Sequence, residues 1–187
     1  MRILLAGLAG AVAMFVWTSI AHMVTPLGST GFSQIPNEAP VLSAMQSSIG
    51  DHAGLYFFPW VDPKDPKAME KSAELMKTNP SGMILYKGPG ASADMTPMLV
   101  KEFAKEFVQA LIAAFLLSLT MLVTYVSRVG FVVLIGVSAA IATNVSYWVW
   151  YGFPFDYTCA QLIIEMVSAL AAGLAIAAVL RPRPTTA

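Results

Sequence analysis

Long apolar stretches without charged residues dominate the hydrophobic pattern of the chain. Three of them contain no charge over the length of a membrane span, and they cover residues 3–25, 107–127 and 129–155. In a fourth, residues 157–180, Glu165 is the single charged residue. A helix needs about 20 apolar residues to cross a bilayer, and lipid leaves its backbone groups no other partners. The pattern therefore predicts an all-α membrane protein with four transmembrane helices.

Sequence signals give each predicted helix its boundaries. Thr96-Pro97 is a typical helix start, so the second helix is expected to begin outside the bilayer with Lys101, Glu102, Lys105 and Glu106 in solvent. The predicted segments are helix 1 in residues 1–25, helix 2 over 97–127 with its transmembrane part from about residue 107, helix 3 over 129–151, helix 4 over 157–180, and a tail of residues 181–187.

The first apolar stretch has an alternative interpretation as a signal peptide. Met1-Arg2, the leucine- and alanine-rich core and Ser19-Ile20-Ala21 resemble the three zones of a cleavable signal. We expect an uncleaved transmembrane helix instead.

The segment between helices 1 and 2, residues 26–96, is less hydrophobic and rich in breakers. Its pattern predicts the order helix, strand, helix, strand, with Asn37 as the first helix cap and a helix start at Asp65-Pro66. This is a small α+β cap with little core of its own. Its aromatic residues can pack inside or contact a partner: Tyr56, Phe57, Phe58 and Trp60.

Charge placement predicts the orientation. All four arginines lie on one side of the predicted bundle: before helix 1, between helices 2 and 3, and after helix 4. They are Arg2, Arg128, Arg181 and Arg183. Because positive residues stay in the cytoplasm, both termini are expected there, with residues 26–96 in the periplasm of a bacterial inner membrane. The net charge of zero and the lack of basic clusters argue against nucleic acid as a partner. Membrane lipid is the expected environment.

Polar residues fall at one depth in the predicted helices, about 6–12 Å from their outer ends by the helical rise. This layer comprises Thr18, Ser19, Gln109, Asn144, Gln161 and Glu165. Within a span, Glu165 needs a partner, and Asn144 or His22 is expected to provide one. The layer either holds the helices in register through hydrogen bonds or binds a ligand or proton. We predict the structural role.

Two further patterns concern helix ends and helix packing. Tyr147, Trp148, Trp150 and Tyr151 are expected in the aromatic belt at the membrane surface, before a turn at Gly152. Small residues four apart predict close helix contacts, and they are Gly7 and Ala11, Gly136 and Ala140, and Ala169, Gly173 and Ala177.

The candidate metal ligands near the exported side lack a ligand spacing, so we expect no metal and no cofactor. They are His22, Met23, His52, Met95, Met98 and Cys159. No nucleophile elbow, phosphate loop or dinucleotide fingerprint is present in the sequence. The sequence therefore predicts no enzyme.

Several segments together resemble a family of uncharacterised bacterial four-helix inner-membrane proteins. They are Pro36-Asn-Glu38, Gly54-Leu-Tyr-Phe-Phe-Pro59, Pro80-Ser-Gly82 with Tyr86, and Tyr147-Trp-Val-Trp-Tyr-Gly-Phe-Pro154. The resemblance implies the four-helix topology and the inner membrane, and it implies no activity. The plan is also similar to that of claudin-like proteins, whose loop cysteines and tryptophan motif this chain lacks.

These patterns favour a non-enzymatic membrane protein that acts by contact, as an accessory or assembly subunit of a larger membrane complex or as a homo-oligomer. The alternative is a protein that binds a lipid, a quinone-like molecule or another small amphiphile in a pocket under the periplasmic cap. An enzyme is the third possibility.

Overall fold

The structure is a computed structural model and describes residues 1–181. It forms two compact units. The membrane unit consists of residues 1–32 and the described residues from 94 onward, and the loop unit consists of residues 33–93. Within residues 1–181, three helices are long and apolar enough to cross a membrane, namely Arg2–Met23, Tyr125–Tyr151 and Phe155–Val179. The chain therefore has the character of a transmembrane protein.

The helices and strands follow one another in a simple order. In the membrane unit, the helices are α1 (Arg2–Met23), α4 (Thr96–Ser118), α5 (Tyr125–Ala140), α6 (Ser146–Tyr151) and α7 (Phe155–Val179), with a π-helical segment, Ile141–Val145, joining α5 to α6. In the loop unit, the elements are α2 (Glu38–Ile49), β1 (Gly54–Phe58), α3 (Ala68–Thr78) and β2 (Gly82–Tyr86). The predicted order of helix, strand, helix, strand is present.

Helix α1 lies between α4 and α7 in the membrane unit. Gly7 of α1 packs on Leu111 of α4. Thr18 lies later in α1 but contacts Glu106, which lies earlier in α4, so the two helices run antiparallel. Helix α7 is also antiparallel to α1, because Gly10 meets Ile176 whereas Trp17, later in α1, meets Ile164, earlier in α7. The core is made of buried alanines with Met14, Leu117, Val132, Ile176 and Leu180.

Small residues bring the helices of the membrane unit close together, as the sequence predicted. A Cβ at Gly136 of α5 would lie 2.2 Å from the Cβ of Ala169 of α7. A Cβ at Gly173 would lie 3.1 Å from the main-chain oxygen of Val129. Gly7, Ala11, Ala140 and Ala177 are buried as well. The small residues are thus used for packing within one chain.

The second helix is shorter than predicted, because α4 ends at Ser118 rather than at residue 127. The amides of Leu119 and Thr120 bond carbonyls three residues back, and the Thr120 hydroxyl also bonds the Leu117 carbonyl. This tighter turn does not continue an α-helix. Thr124 then starts α5 by accepting a hydrogen bond from the Ser127 amide. The third helix therefore begins at Tyr125, four residues before the predicted start at residue 129.

The last helix runs over Phe155–Val179, close to the predicted 157–180. Of the predicted tail, residues 182–187 lie outside the described residues, and Arg181 is exposed.

The loop unit contains one two-stranded antiparallel sheet, in which Leu55 pairs with Leu85 and Phe57 with Met83. Asn37 occupies the N-cap position of α2, as predicted, but it is left-handed (φ 55°) and its side chain makes no capping bond. Helix α3 begins at Ala68, just after the predicted start at Asp65-Pro66. The Lys71 ammonium and the Lys67 amide hold the pKa of the Asp65 carboxyl below its usual range.

Candidate functional site

A buried carboxyl group joins α1 to α4. Glu106 is 0% exposed, and its Oε1 lies 2.9 Å from Oγ1 of Thr18, which is also buried. Its other oxygen, Oε2, has no hydrogen-bond partner among the described residues. The prediction that Glu106 is solvated is therefore wrong. A buried polar atom without a partner is costly, and Arg128 Nε and Ser168 Oγ are the other two such side-chain atoms among the described residues.

The local sequence explains why Glu106 is buried. Glu106, Ala110, Ala113 and Leu117 recur at the spacing of one helix face, and all of them are buried. The neighbouring Lys105 and Glu102 form an ion pair of 2.8 Å on the more exposed side of α4. The face of α4 that meets α1 thus carries its one acid at the level of Thr18.

Two further contacts of α1 lie close in sequence to Thr18, and one of them reaches a third helix. Phe103 of α4 meets Phe15 of α1 edge to face, with ring centroids 5.5 Å apart. The indole nitrogen of Trp17 donates a hydrogen bond of 2.9 Å to the main-chain oxygen of Ile164 in α7. Three helices are therefore tied together at one level by two hydrogen bonds, which involve the neighbouring residues Trp17 and Thr18 of α1.

Gln109 lies next to a small cavity in the middle of the membrane unit. The cavity has a volume of about 20 Å³ and is lined by residues of α1, α4, α5 and α7. Its lining is apolar except for Gln109: Met14, Ala110, Ala113, Val132, Ile135, Gly136, Ala169 and Ala172. A volume of this size holds about one water molecule.

The other members of the predicted polar layer do not form a connected network. Glu165 is half-buried and makes no hydrogen bond or ion pair among the described residues. Neither expected partner bonds Glu165. Asn144 donates a hydrogen bond to the Ala140 carbonyl one turn back, and His22 is exposed. Ser19 and Gln161 are half-buried without a side-chain hydrogen bond in the described part of the chain. The structure thus joins only Thr18 of this set to another helix.

Arg128, which the sequence assigned to the cytoplasmic surface, is buried with 4% exposure. Its guanidinium donates a hydrogen bond of 3.0 Å to the Leu122 carbonyl and another to the Leu180 carbonyl. These carbonyls belong to the loop before α5 and to the end of α7, where no helical amide can reach them. Arg128 therefore joins the loop before α5 to the end of α7, a role that its position in sequence did not indicate.

The predicted aromatic belt is exposed and surrounds the turn before α7. Tyr147 stacks on Phe153 with ring centroids 5.4 Å apart, and Trp148 lies 5.5 Å from Phe155. Trp150 and Tyr151 are exposed, and Gly152 adopts the left-handed conformation that ends the helix. This arrangement agrees with the predicted joint between two helices.

In the loop unit, three of the four predicted contact residues lie on β1, and the fourth follows it. They are Tyr56, Phe57, Phe58 and Trp60. Phe57 is exposed, while Tyr56 and Phe58 are half-buried on the opposite face. Trp60 follows the strand and is exposed. Phe57 and Trp60 are therefore the two of these four residues whose apolar surface is exposed.

Among residues 1–181, no group of three or more histidine, cysteine, aspartate or glutamate side chains is arranged to hold a metal ion. No family model, no curated protein and no solved structure matches this chain. Its function must therefore be argued from its own residues.

Proposed function

We propose that this protein is a non-enzymatic membrane protein that acts by contact, as an accessory or assembly subunit of a larger membrane complex. The observation that supports this most directly is an exposed apolar face on the two-stranded sheet of the loop unit. We refer to Leu55, Phe57, Met83 and Leu85 as the sheet face.

The strand register places all four residues of the sheet face on one side. Leu55 pairs with Leu85, and Phe57 pairs with Met83. Leu55 is 64% exposed, Phe57 45% and Leu85 75%. Exposed apolar patches on soluble domains mark interaction sites, because burying them against a partner removes them from water.

The loop unit also lacks a core that would make it self-sufficient. Tyr86 is its one buried hydrophobic residue, held by a hydrogen bond of 2.9 Å to the Gly50 carbonyl. Its helices α2 and α3 bury no residue completely. A two-stranded sheet with so little support is marginally stable in water. Contact with another subunit would supply the missing burial.

The contact proposal is tested by comparing what co-purifies in mild detergent with the wild-type protein and with two variants. The double variant Leu55→Ser, Leu85→Ser removes the centre of the sheet face, and Glu74→Ser, at an exposed position of α3, is the control. We expect a stoichiometric protein with wild type and Glu74→Ser, and its loss from the double variant. A wild-type protein that runs alone as a monomer would refute the proposal.

For location, we propose four membrane passes in a bacterial inner membrane, with both termini in the cytoplasm and residues 26–96 in the periplasm. Helices α1 and α7 are antiparallel, as are α5 and α7, so α1 and α5 run in the same direction. The chain must return along the bundle between them. Helix α4, antiparallel to α1, makes that return, although its four charged residues set it apart from the three apolar helices.

Cysteine labelling of intact cells tests this topology. In a Cys159→Ala background, single cysteines replace Glu74 in the loop unit and Met121, which is 89% exposed after α4. Four passes predict that a membrane-impermeant reagent labels only position 74. If α4 does not cross, both positions lie outside and both are labelled.

A second candidate function is the binding of a lipid or other small amphiphile. It is favoured by the cavity beside Gln109, where helices α4 and α5 make few contacts with each other. At about 20 Å³ the cavity must widen to admit a chain. Mass spectrometry of organic extracts separates the two functions, because only the second predicts a stoichiometric small molecule.

A further inference from the structure

The hydroxyl group of Thr18 has three possible acceptors around it. Its hydroxyl oxygen lies 2.9 Å from Glu106 Oε1, 3.1 Å from the Met14 carbonyl and 3.2 Å from the Phe15 carbonyl. All three neighbours can accept, but a hydroxyl group has one hydrogen to donate. Threonine in a helix commonly gives that hydrogen to a carbonyl one turn back. The hydrogen bond between the two side chains would then be donated by a protonated Glu106 to the Thr18 hydroxyl.

Burial of Glu106 disfavours its ionised form. Among the charged residues near it, Lys105 is the cation, and Glu102 on the same helix and Glu165 on α7 are acids. Lys105, however, forms its ion pair with Glu102. On α1 the neighbours Phe15, Trp17 and Thr18 carry no charge. An ionised Glu106 would therefore be fully buried without an ion pair, which is very unfavourable.

We propose that Glu106 and Thr18 form a proton-binding site, in which Glu106 carries a proton and donates it to the Thr18 hydroxyl. Thr18 passes its own hydrogen to the Met14 or Phe15 carbonyl, so each hydrogen has one acceptor. In this arrangement Oε2 is a neutral carbonyl oxygen, and its lack of a partner is much less costly than that of a charged oxygen.

The proton-binding site makes the contact between α1 and α4 depend on one proton. When the proton leaves, a negative charge remains in the packed interface beside Phe15 and Phe103. The two helices must then separate or admit water or a cation. The ligand of this site is thus a proton, and its removal alters the packing of α1 against α4.

Infrared difference spectroscopy of the full-length protein in lipid nanodiscs tests the site directly. We expect the carbonyl absorption of a protonated carboxylic acid at neutral pH, shifted by deuterium exchange and by isotope-labelled glutamate. Glu106→Gln should abolish it. The matched controls Glu102→Gln and Glu165→Gln should retain it. No such absorption, or its loss in Glu165→Gln rather than in Glu106→Gln, would overturn the proposal.

A second arm does not depend on the folding of Glu106→Gln. Thr18→Val has nearly the same shape and removes the proposed acceptor, so the absorption should persist and shift. An unshifted absorption would rule out Thr18 as the acceptor. Sodium chloride added at constant pH distinguishes a proton site from a cation site. Conversion of the acid absorption to that of a carboxylate by sodium would show that the proton is displaced by a cation, and it would contradict a site whose ligand is the proton alone.

Discussion

The membrane unit and the loop unit bury their apolar side chains to very different degrees. In the described chain, every buried hydrophobic residue except Tyr86 belongs to the membrane unit. The membrane unit also completes much of its polar bonding internally, through Trp17, Thr18 and Arg128. The loop unit instead exposes Leu55 and Leu85 on one sheet face. The exposed apolar surface that supports the proposed partner contact therefore lies in the loop unit.

Small residues in the membrane helices lead to the same conclusion. From sequence alone, closely spaced small residues can serve contacts within a chain or between chains. Here Gly7 and Gly10 meet α4 and α7, and Gly136 meets α7 of the same chain. They are therefore poor evidence for oligomerisation, and the case for a partner depends on the sheet face.

The largest effect in the membrane unit is expected for Arg128→Met. This variant removes the donors to the Leu122 and Leu180 carbonyls and leaves both without their charged partner. We expect the free energy of unfolding in mild detergent to fall by about 3 kcal/mol. Arg2→Gln, at an exposed arginine, should change it little. Equal stability of the two variants would show that Arg128 does not fasten the helix ends.

A smaller loss is expected for Gly136→Ala, because the added Cβ lies 2.2 Å from Ala169 and α5 must move away from α7. Overpacking of this kind costs about 1–3 kcal/mol. Gly130→Ala in the same helix meets no atom within 4 Å and is the matched control. Thermal unfolding of both variants measures the difference. A Gly136→Ala protein as stable as its control would contradict the close packing.

The smallest effect is expected at Glu165. Since no described group bonds its carboxyl, both Glu165→Gln and Glu165→Leu should change the free energy of unfolding by about 0.5 kcal/mol or less. Gln161→Leu, another half-buried position of α7, is the control. A large loss in Glu165→Leu alone would reveal a polar partner and would return Glu165 to the structural role that the sequence predicted.

The apolar helices could be predicted from sequence because charged or turn-forming residues mark their ends. The end of α4 could not, since residues 107–127 contain neither glycine nor proline. The hydroxyl groups of Thr120 and Thr124 end one helix and start the next, but the same residues occur inside membrane helices. Arg128 bonds both Leu122 in this turn and Leu180, and the second of these lies far along the chain.

The candidate site was only partly predictable. Thr18 and Gln109 were found from their depth in the helices. Glu106 was missed because it adjoins Lys105 and was assigned to the same solvated stretch, although its spacing from Ala110 and Ala113 places it on the buried face. Glu165 drew attention as a lone acid in an apolar stretch. Burial of an acid follows from the face of the helix on which it lies, and the number of neighbouring charges is a poorer guide.

Site-specific photocrosslinking in intact membranes is the most direct test of contact through the loop unit. A photoreactive residue is placed at Leu55 or Leu85 in the sheet face, and at Glu74 as the exposed control. We expect both sheet-face positions to form an adduct with the same protein, and position 74 to form none. Adducts with lipid alone, or equal labelling at all three positions, would show that the sheet face is not where this protein meets its partner.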